Sequence, residues 1–368
     1  MYAMSADLYD APHQFEPLLP SAARQEPLLV KAHDLATAAT AFSSQPIARQ
    51  MRGLLAAMNS YYSNRIEGQH TRPHELEQAL RRDFSQDANL AARQRLALAH
   101  IDAEAELEQR YRGEAGAKAL YGLPAVCDIH RAIFSRLPVS DRVTEQGETI
   151  VPGEIRRREV SVGRHVAPAF ESIGRFLGRW GDVYGGVRRG EAALVAMAAA
   201  HHRLGWIHPF VDGNGRVMRL HTHTLLSALG YTGGLWSPLR GFARTVDRYY
   251  ACLAAADEPR RGDLDGRGNL SEAALVAWID YVLDVCLDQV SFMRSTLNLQ
   301  TMERRIAACL VFEQQTLESG VRIEALRPLH YLFLNEYTRR WGSATVNSQT
   351  GLVVGTVDYM SPEQLAGS

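Results

Sequence analysis

The sequence of 368 residues has few cysteines, and none of them forms a CxxC pair. Cys127, Cys252, Cys286 and Cys309 lie far apart along the chain. Widely spaced single cysteines exclude a zinc ribbon and give no sign of a disulfide framework. We therefore predict buried, reduced thiols.

The sequence also lacks long apolar runs and an excess of either charge. The longest apolar run, Ala192–Ala200, is far shorter than the ~20 residues that span a bilayer. A formal net charge of -1 gives no electrostatic reason to expect nucleic acid or a membrane surface as a partner. Residues 1–15 contain neither a basic nor an apolar stretch, so no signal peptide is predicted. These features predict a soluble cytoplasmic protein.

Helical periodicity dominates what is present. One amphipathic stretch has apolar residues three or four apart and ends near Gly68, which is typical of a helix; these residues are Leu54, Leu55, Met58, Tyr62 and Ile66. Short β-branched runs surround Pro152 and Gly153, and we predict a small hairpin over 148–163. The fold class is therefore all-α, with one β-hairpin.

Five segments are expected along the chain. They are an N-terminal arm and helix (1–48), further N-terminal helices (49–115), a core (116–270), a C-terminal helical subdomain (271–340) and a tail (341–368) that is either a truncated winged helix or disordered. The arm contains several prolines and should be extended. Residues 262–272 have only part of a calcium-loop pattern, so we expect a turn there, with Ser271 capping the next helix.

The stretch IHPFVDGNGRVMRL (207–220) combines groups that suit phosphate chemistry. The turn Gly213–Gly215 precedes a helical pattern, and backbone N–H groups at a helix N-terminus bind anions. Arg216 and Arg219 are three residues apart, so both can contact phosphate oxygens. Asp212 is suited to Mg²⁺, and His208 is suited to accept a proton from an incoming hydroxyl. Together these groups predict nucleotidyl transfer.

The same stretch resembles the signature of the Fic family, HPFx[DE]GNGRxxR, and similarity extends from about Ser63 to Tyr281. VPGEIRRREVSVG is similar to the family's target-docking hairpin, or flap, and RYYACLAAADEP to its tyrosine-pair helix. The resemblance implies a mainly helical Fic fold with a hairpin flap and a helical C-terminal extension. It also implies a protein adenylyltransferase, a nucleotidyltransferase that moves AMP from ATP to a Tyr, Ser or Thr hydroxyl.

The resemblance also implies roles for individual residues. His208 would be the general base, and Asp212 would bind Mg²⁺ that bridges the phosphates. The nucleotide-binding residues would be Glu67, Gly213, Asn214, Gly215, Arg216, Val217, Met218, Arg219, Tyr250 and Asp257. The flap residues that dock the target would be Gly153, Glu154, Ile155, Val160 and Val162. His201 would support the motif from behind.

SNRIEG (63–68) resembles the family's inhibitory motif, [ST]xxxE[GN]. Ser63 and Glu67 share one helix face, so Ser63 is expected to steady the Glu67 carboxylate. Glu67 would then pair with Arg219 and take the position of the γ-phosphate. In some relatives this glutamate also serves removal of AMP, so the reverse reaction is included in the hypothesis.

Several alternatives remain open. Gly215 argues against phosphate transfer, because relatives of the Doc type carry lysine there, but UMP or phosphocholine transfer uses similar motifs. A nucleotide-sensing module and a regulator without transferase activity are the other candidates. The expected partners are ATP, a target protein, the chain itself as a target, and a second copy in a homodimer. Residues 355–367 resemble a protein-kinase loop over too short a stretch to predict a kinase.

Overall fold

The fold was taken from a computed structural model, which describes residues 9–43, 48–69, 71–187 and 189–297, together with 304, 307, 308 and 311. This part of the chain is mainly helical, as predicted. The helices are α1 (Ala22–Ser43), α2 (Ala48–Ile66), α3 (Pro73–Leu80), α4 (Ala88–Arg110), α5 (Gly113–Ala119), α6 (Leu123–Phe134), α7 (Ile173–Tyr184), α8 (Gly190–Ile207), α9 (Asn214–Ala228), α10 (Leu239–Arg244), α11 (Val246–Asp257) and α12 (Glu272–Thr296). Two strands, β1 (Ser161–Val162) and β2 (His165–Val166), pair antiparallel.

Helix α8 forms the centre of the fold. Its sequence is rich in alanine and other apolar residues on every side, and a helix that is apolar all round is buried. Helices α1, α7, α9 and α12 pack against it. The indole N–H groups of Trp180 and Trp278 donate to the carbonyls of Ala200 and Ala198 of this helix, at 3.1 and 2.7 Å. These bonds fix α7 and α12 to α8.

Helix α9 follows α8 after a short loop and lies between α8 and the N-terminal helices. It contacts α2, α4, α5 and α6 as well as α8. Most of its side chains are buried, including charged and imidazole groups that a solvent-facing helix would expose. The loop between α8 and α9 (208–213) belongs to the first half of the stretch 207–220, so the ends of these two helices fix the position of the loop.

Residues 9–21 of the N-terminal arm contain one 3₁₀ turn (Pro12–Phe15) and otherwise no helix or strand, but they are built into the core. Phe15 is completely buried. The guanidinium of buried Arg203 donates to the carbonyl of Pro17 at 2.8 Å, and the Tyr184 hydroxyl donates to the carbonyl of Leu18 at 2.6 Å. A segment whose carbonyls satisfy buried donors is part of the fold.

The predicted hairpin is displaced. The strands occupy 161–166 and turn at Gly163, whereas the turn at Pro152 and Gly153 lies outside them. The N–H of Gly153 donates to His130 Nδ1 at 2.8 Å, and the N–H of Arg156 donates to the carbonyl of Pro209 at 2.9 Å. Because these groups bond to other elements, they are not free to pair with each other across a hairpin.

Other predictions have mixed outcomes. Ser271 caps α12, since its hydroxyl accepts from the N–H of Ala274 at 3.1 Å. Cys127, Cys252 and Cys286 are free, but only Cys286 is fully buried, so the prediction of buried thiols is wrong for the other two. Cys309 and the tail 341–368 lie outside the described residues. So does the predicted subdomain beyond residue 297, except for residues 304, 307, 308 and 311. Over the described residues, no helix is long and apolar enough to cross a membrane.

Candidate active site

The motif loop begins where α8 ends, at His208, which adopts a left-handed backbone conformation with φ 49° and ψ 61°. This region is uncommon for a residue other than glycine and must be held by its surroundings. Phe210 is completely buried and stacks on His130 with 4.0 Å between ring centroids. The Asn214 amide accepts from the Phe210 N–H at 2.9 Å and donates to the Phe210 carbonyl at 2.8 Å, which closes the loop.

The imidazole of His208 is partly buried, and its environment keeps it neutral. Burial is the main reason that its pKa falls from 6.5 to about 4, and the nearby His165 lowers it further. One ring nitrogen bonds to the carbonyl of Gly205. At neutral pH the second nitrogen is therefore unprotonated and can accept a proton, which is what a general base requires.

Space restricts both glycines of the turn, and backbone conformation also restricts Gly213. Gly213 has φ 79°, and a Cβ there would lie 2.5 Å from the ring of Phe134. A Cβ on Gly215 would lie 2.2 Å from Glu67 Oε1. The absence of a side chain at Gly215 thus leaves the volume above the N-terminus of α9 to an acidic group, as expected where the helix dipole favours negative charge.

Arg219 is the buried charge at the centre of the site. Its Nε donates to the Ser63 hydroxyl at 3.1 Å, and its Nη2 donates to the Ser63 carbonyl at 3.1 Å and to Glu67 Oε1 at 2.5 Å. Burial alone would raise the pKa of Glu67, but the charges of Arg219 and Arg216 lower it below its ordinary value. Ser63 therefore holds Arg219, which in turn holds Glu67, whereas the sequence predicted a direct contact between Ser63 and Glu67.

Arg216 is also engaged by the end of α2 and the turn that follows it. Its Nε donates to Asn64 Oδ1 at 3.0 Å and its Nη2 to Gln69 Oε1 at 2.6 Å, while its Nη1 lies 3.9 Å from Asp212 Oδ1. Neither Asn64 nor Gln69 was predicted to belong to the site, although both lie close to Glu67 along the chain. Both arginines of the motif are thus bound by one segment, 63–69.

The remaining residues that were predicted to bind the nucleotide lie in three different surroundings. Tyr250 is 46% exposed, and its hydroxyl donates to the Ile66 carbonyl at 3.0 Å, so it lies at the edge of the site beside α2. Asp257 pairs with buried His202 at 3.1 Å, and its contact with the nucleotide stays a prediction. The side chains of Val217 and Met218 are buried in the core, so only their backbone groups remain for a nucleotide.

His201 lies behind Arg219 and reaches it through Tyr249, and its supporting role stays a prediction. Its Nδ1 lies 2.7 Å from the Thr222 hydroxyl and its Nε2 lies 3.0 Å from the Tyr249 hydroxyl. Tyr249 in turn hydrogen-bonds to Arg219. Tyr249, the first residue of the tyrosine pair, was missed by the sequence analysis, which assigned a role only to Tyr250.

The flap segment lies beside the motif loop. Among its predicted docking residues, Val162 on β1 is 47% exposed, Ile155 packs partly against the core, and Gly153, Glu154 and Val160 are partly buried. The three arginines at 156–158 differ in exposure, because Arg157 and Arg158 face solvent and Arg156 does not. The side chain of Arg156 is fully buried, and its N–H groups are satisfied by backbone carbonyls.

Asp212 is the residue suited to Mg²⁺. Its side chain is 42% exposed, and Oδ1 accepts from the N–H of Gly213. No group of three or more His, Cys, Asp or Glu that could hold a metal occurs in the described part of the chain. Mg²⁺ is usually held by one or two carboxylates together with substrate phosphates and waters, so a single exposed aspartate beside an anion site fits it.

Comparison with known proteins identifies the region. The pattern of the Fic/DOC family matches residues 122–226, which include the motif loop, α8 and most of α9. Residues 122–226 are therefore similar to a Fic domain. It is similar to the protein adenylyltransferase Fic of Drosophila willistoni, with 40% identity over 123 residues, and to that of Drosophila mojavensis, with 32% identity over 155 residues. These matches cover 33% and 42% of this chain but only 24% and 28% of the relatives, so the chain spans about a quarter of their length.

Solved structures support the fold beyond the Fic domain itself. A Fic family protein from Desulfovibrio desulfuricans superposes with a TM-score of 0.53 at 17% identity, covering 81% of this chain and 82% of that one. Fic-1 (residues 134–508) from C. elegans superposes with a TM-score of 0.54 at 17% identity, covering 76% and 74%. The Fic fold is therefore shared, including helices outside the matched residues.

Proposed function

We propose that this protein is an adenylyltransferase that moves AMP from ATP to a hydroxyl of a target protein. The observation that carries the proposal is the placement of a neutral imidazole, His208, on the loop that leads into the N-terminus of α9, where Arg216 and Arg219 lie. The names of the Drosophila relatives support the same activity. A nucleotide sensor would need the anion site but no base, so the neutral His208 favours an enzyme.

In the proposed reaction, the target hydroxyl oxygen attacks the α-phosphorus of ATP. The bond between the α-phosphorus and its bridging oxygen to the β-phosphate breaks, and pyrophosphate leaves with that electron pair. The hydroxyl proton passes to the free nitrogen of His208, whose other nitrogen is held by Gly205. Backbone N–H groups at the start of α9 and the guanidinium of Arg216 stabilise the phosphate oxygens, because they are fixed in advance and point at developing charge.

Asp212 would hold Mg²⁺ together with the phosphates of ATP. When bound there, the ion would neutralise phosphate charge. The side chain of Asp212 is exposed enough to accept a partly hydrated ion, and its bond to the N–H of Gly213 fixes its orientation.

Glu67 would act as an inhibitor of this reaction. Arg219 is the group expected to bind the γ-phosphate, and the Glu67 carboxylate lies 2.5 Å from it. Two anionic groups cannot share one buried cation without strong repulsion. ATP then binds with its γ-phosphate elsewhere, and its α-phosphate is not in line with the attacking oxygen. Displacement of Glu67 would restore the productive position, and the same carboxylate would be available to activate water for removal of AMP.

The flap would present the target. Val162 on β1 is exposed at its edge, and an exposed strand edge binds an extended peptide by main-chain hydrogen bonds. Serine, threonine and tyrosine of the target are the candidate acceptors, and a hydroxyl of a second copy would give self-modification.

The test is transfer of label from ATP labelled at the α or the γ position, using the Glu67→Gly variant and a cell lysate. We expect label from the α position on protein and none from the γ position, and no label with Glu67→Gly, His208→Ala. Transfer of the γ label would assign the protein as a kinase-like enzyme and refute the proposal. Stronger labelling from α-labelled UTP or from CDP-choline would move the assignment to those donors. Binding of ATP without any transfer would favour the sensor.

A further inference from the structure

Arg156 differs sharply from the arginine that follows it. Its side chain is fully buried, while that of Arg157 is 82% exposed. A guanidinium in the interior must have its N–H groups matched to acceptors, because an unpaired buried charge is costly. Nε donates to the carbonyl of His208 at 2.9 Å, Nη1 to that of Arg158 at 2.7 Å and Nη2 to that of Pro168 at 2.5 Å.

The carbonyl of His208 belongs to the residue whose backbone is left-handed. A non-glycine residue keeps this conformation only if its neighbours hold it there. Arg156 also donates its backbone N–H to the carbonyl of Pro209 at 2.9 Å. Two consecutive carbonyls of the motif loop are therefore bonded to one residue of the flap segment, and the direction of the His208 side chain depends on that backbone.

We infer that Arg156 is a positioning residue, which holds the backbone of His208 so that its imidazole faces the reacting hydroxyl. This inference rests on the proposed function, since it assigns Arg156 a role in the same reaction. It acts through His208 and touches neither nucleotide nor target.

The charge of Arg156 has a second effect that can be measured separately. After burial and the neighbouring His165, it is among the causes that lower the pKa of His208, while Glu67 acts in the opposite direction. Loss of the charge at Arg156 should therefore raise the pKa of His208. A role confined to stability would leave that pKa unchanged.

The experiment compares Arg156→Met and Arg156→Lys, in the Glu67→Gly background, with the control Arg157→Met. Autotransfer kinetics give kcat and the KM for ATP, and NMR titration gives the pKa of the His208 ring, whose signal is assigned by its loss in His208→Ala. Because a small misplacement of a reacting group costs about 10²-fold in rate, we expect kcat to fall roughly 10–100-fold in both Arg156 variants, with the KM for ATP within about threefold. Only Arg156→Met should raise the pKa of His208.

The inference is overturned if Arg156→Lys, with its helical content intact by circular dichroism, retains the kcat of the parent. It is also overturned if kcat falls only in proportion to the folded fraction, which would assign Arg156 to stability. The titration separates this failure from failure of the proposed function. If the Glu67→Gly parent transfers no nucleotide, the proposed function fails, whereas an unchanged His208 pKa in Arg156→Met refutes the contact between the two residues.

Discussion

If the proposed function is correct, replacement of Glu67 by glycine should raise the rate of AMP transfer. The carboxylate makes a charge-assisted bond of 2.5 Å to Arg219, which is almost completely buried. A productive ATP pose must break this bond, and hydrogen bonds to charged groups are worth about 1.5–3 kcal/mol. If about 2–3 kcal/mol of the barrier is removed, the rate rises roughly 30–150-fold. The gain should appear mainly in kcat, because ATP can still bind in the inhibited state.

The assay is autotransfer with ATP labelled at the α-phosphate. Glu67→Gln is the matched control, because it keeps the size of the side chain and one acceptor for Arg219 but removes the charge. We expect its activation to be smaller than that of Glu67→Gly. Melting temperatures of both variants test whether loss of the Glu67 carboxylate destabilises the fold. In both variants Ser63 and Tyr249 still bind the guanidinium of Arg219. Equal rates for the wild type and Glu67→Gly would refute the inhibitory role of this carboxylate.

Two further predictions follow from the buried histidines. Since the pKa of His208 is about 4, the transfer rate should be nearly flat from about pH 6 to 8 and should fall only as pH drops toward that value; an acidic limb centred near 6.5 would contradict the desolvation of the ring. His223 lies 3.3 Å from Glu104 and 3.1 Å from Glu108, and, although burial opposes it, these carboxylates raise its pKa from 6.5 to about 10. Its contribution to stability is therefore complete below about pH 6.5 and is lost as pH rises through about 10. Thermal melts of the wild type should show this loss of stability at high pH, and melts of His223→Gln should not. His221→Gln is the control and should behave as the wild type does, because burial lowers the pKa of His221.

The sequence alone determined the helical class and the core of the candidate site. The apolar residues three or four apart before Gly68 predict a helix with one buried face, and the continuous apolar run 192–200 predicts a helix that is buried on all sides. Both helices occur. Within the motif, His208 and Gly213 lie within a few residues of each other, so a short loop brings them together whatever surrounds it. Local spacing was enough because the relevant groups are close along the chain.

Only the tertiary structure decided how distant segments meet. Pro152 and Gly153 form a turn, as their local preference predicts, but the N–H of Gly153 is taken by His130, so the strands form later in the chain. The contacts of Arg216 with Asn64 and Gln69, and the burial of Arg156 under the motif loop, join residues separated by scores of positions. Sequence periodicity reports which face of an element is apolar, and it contains no information on which buried polar group will satisfy which donor. That choice is made when helices pack, because each buried N–H and carbonyl must find a partner in the space that packing leaves.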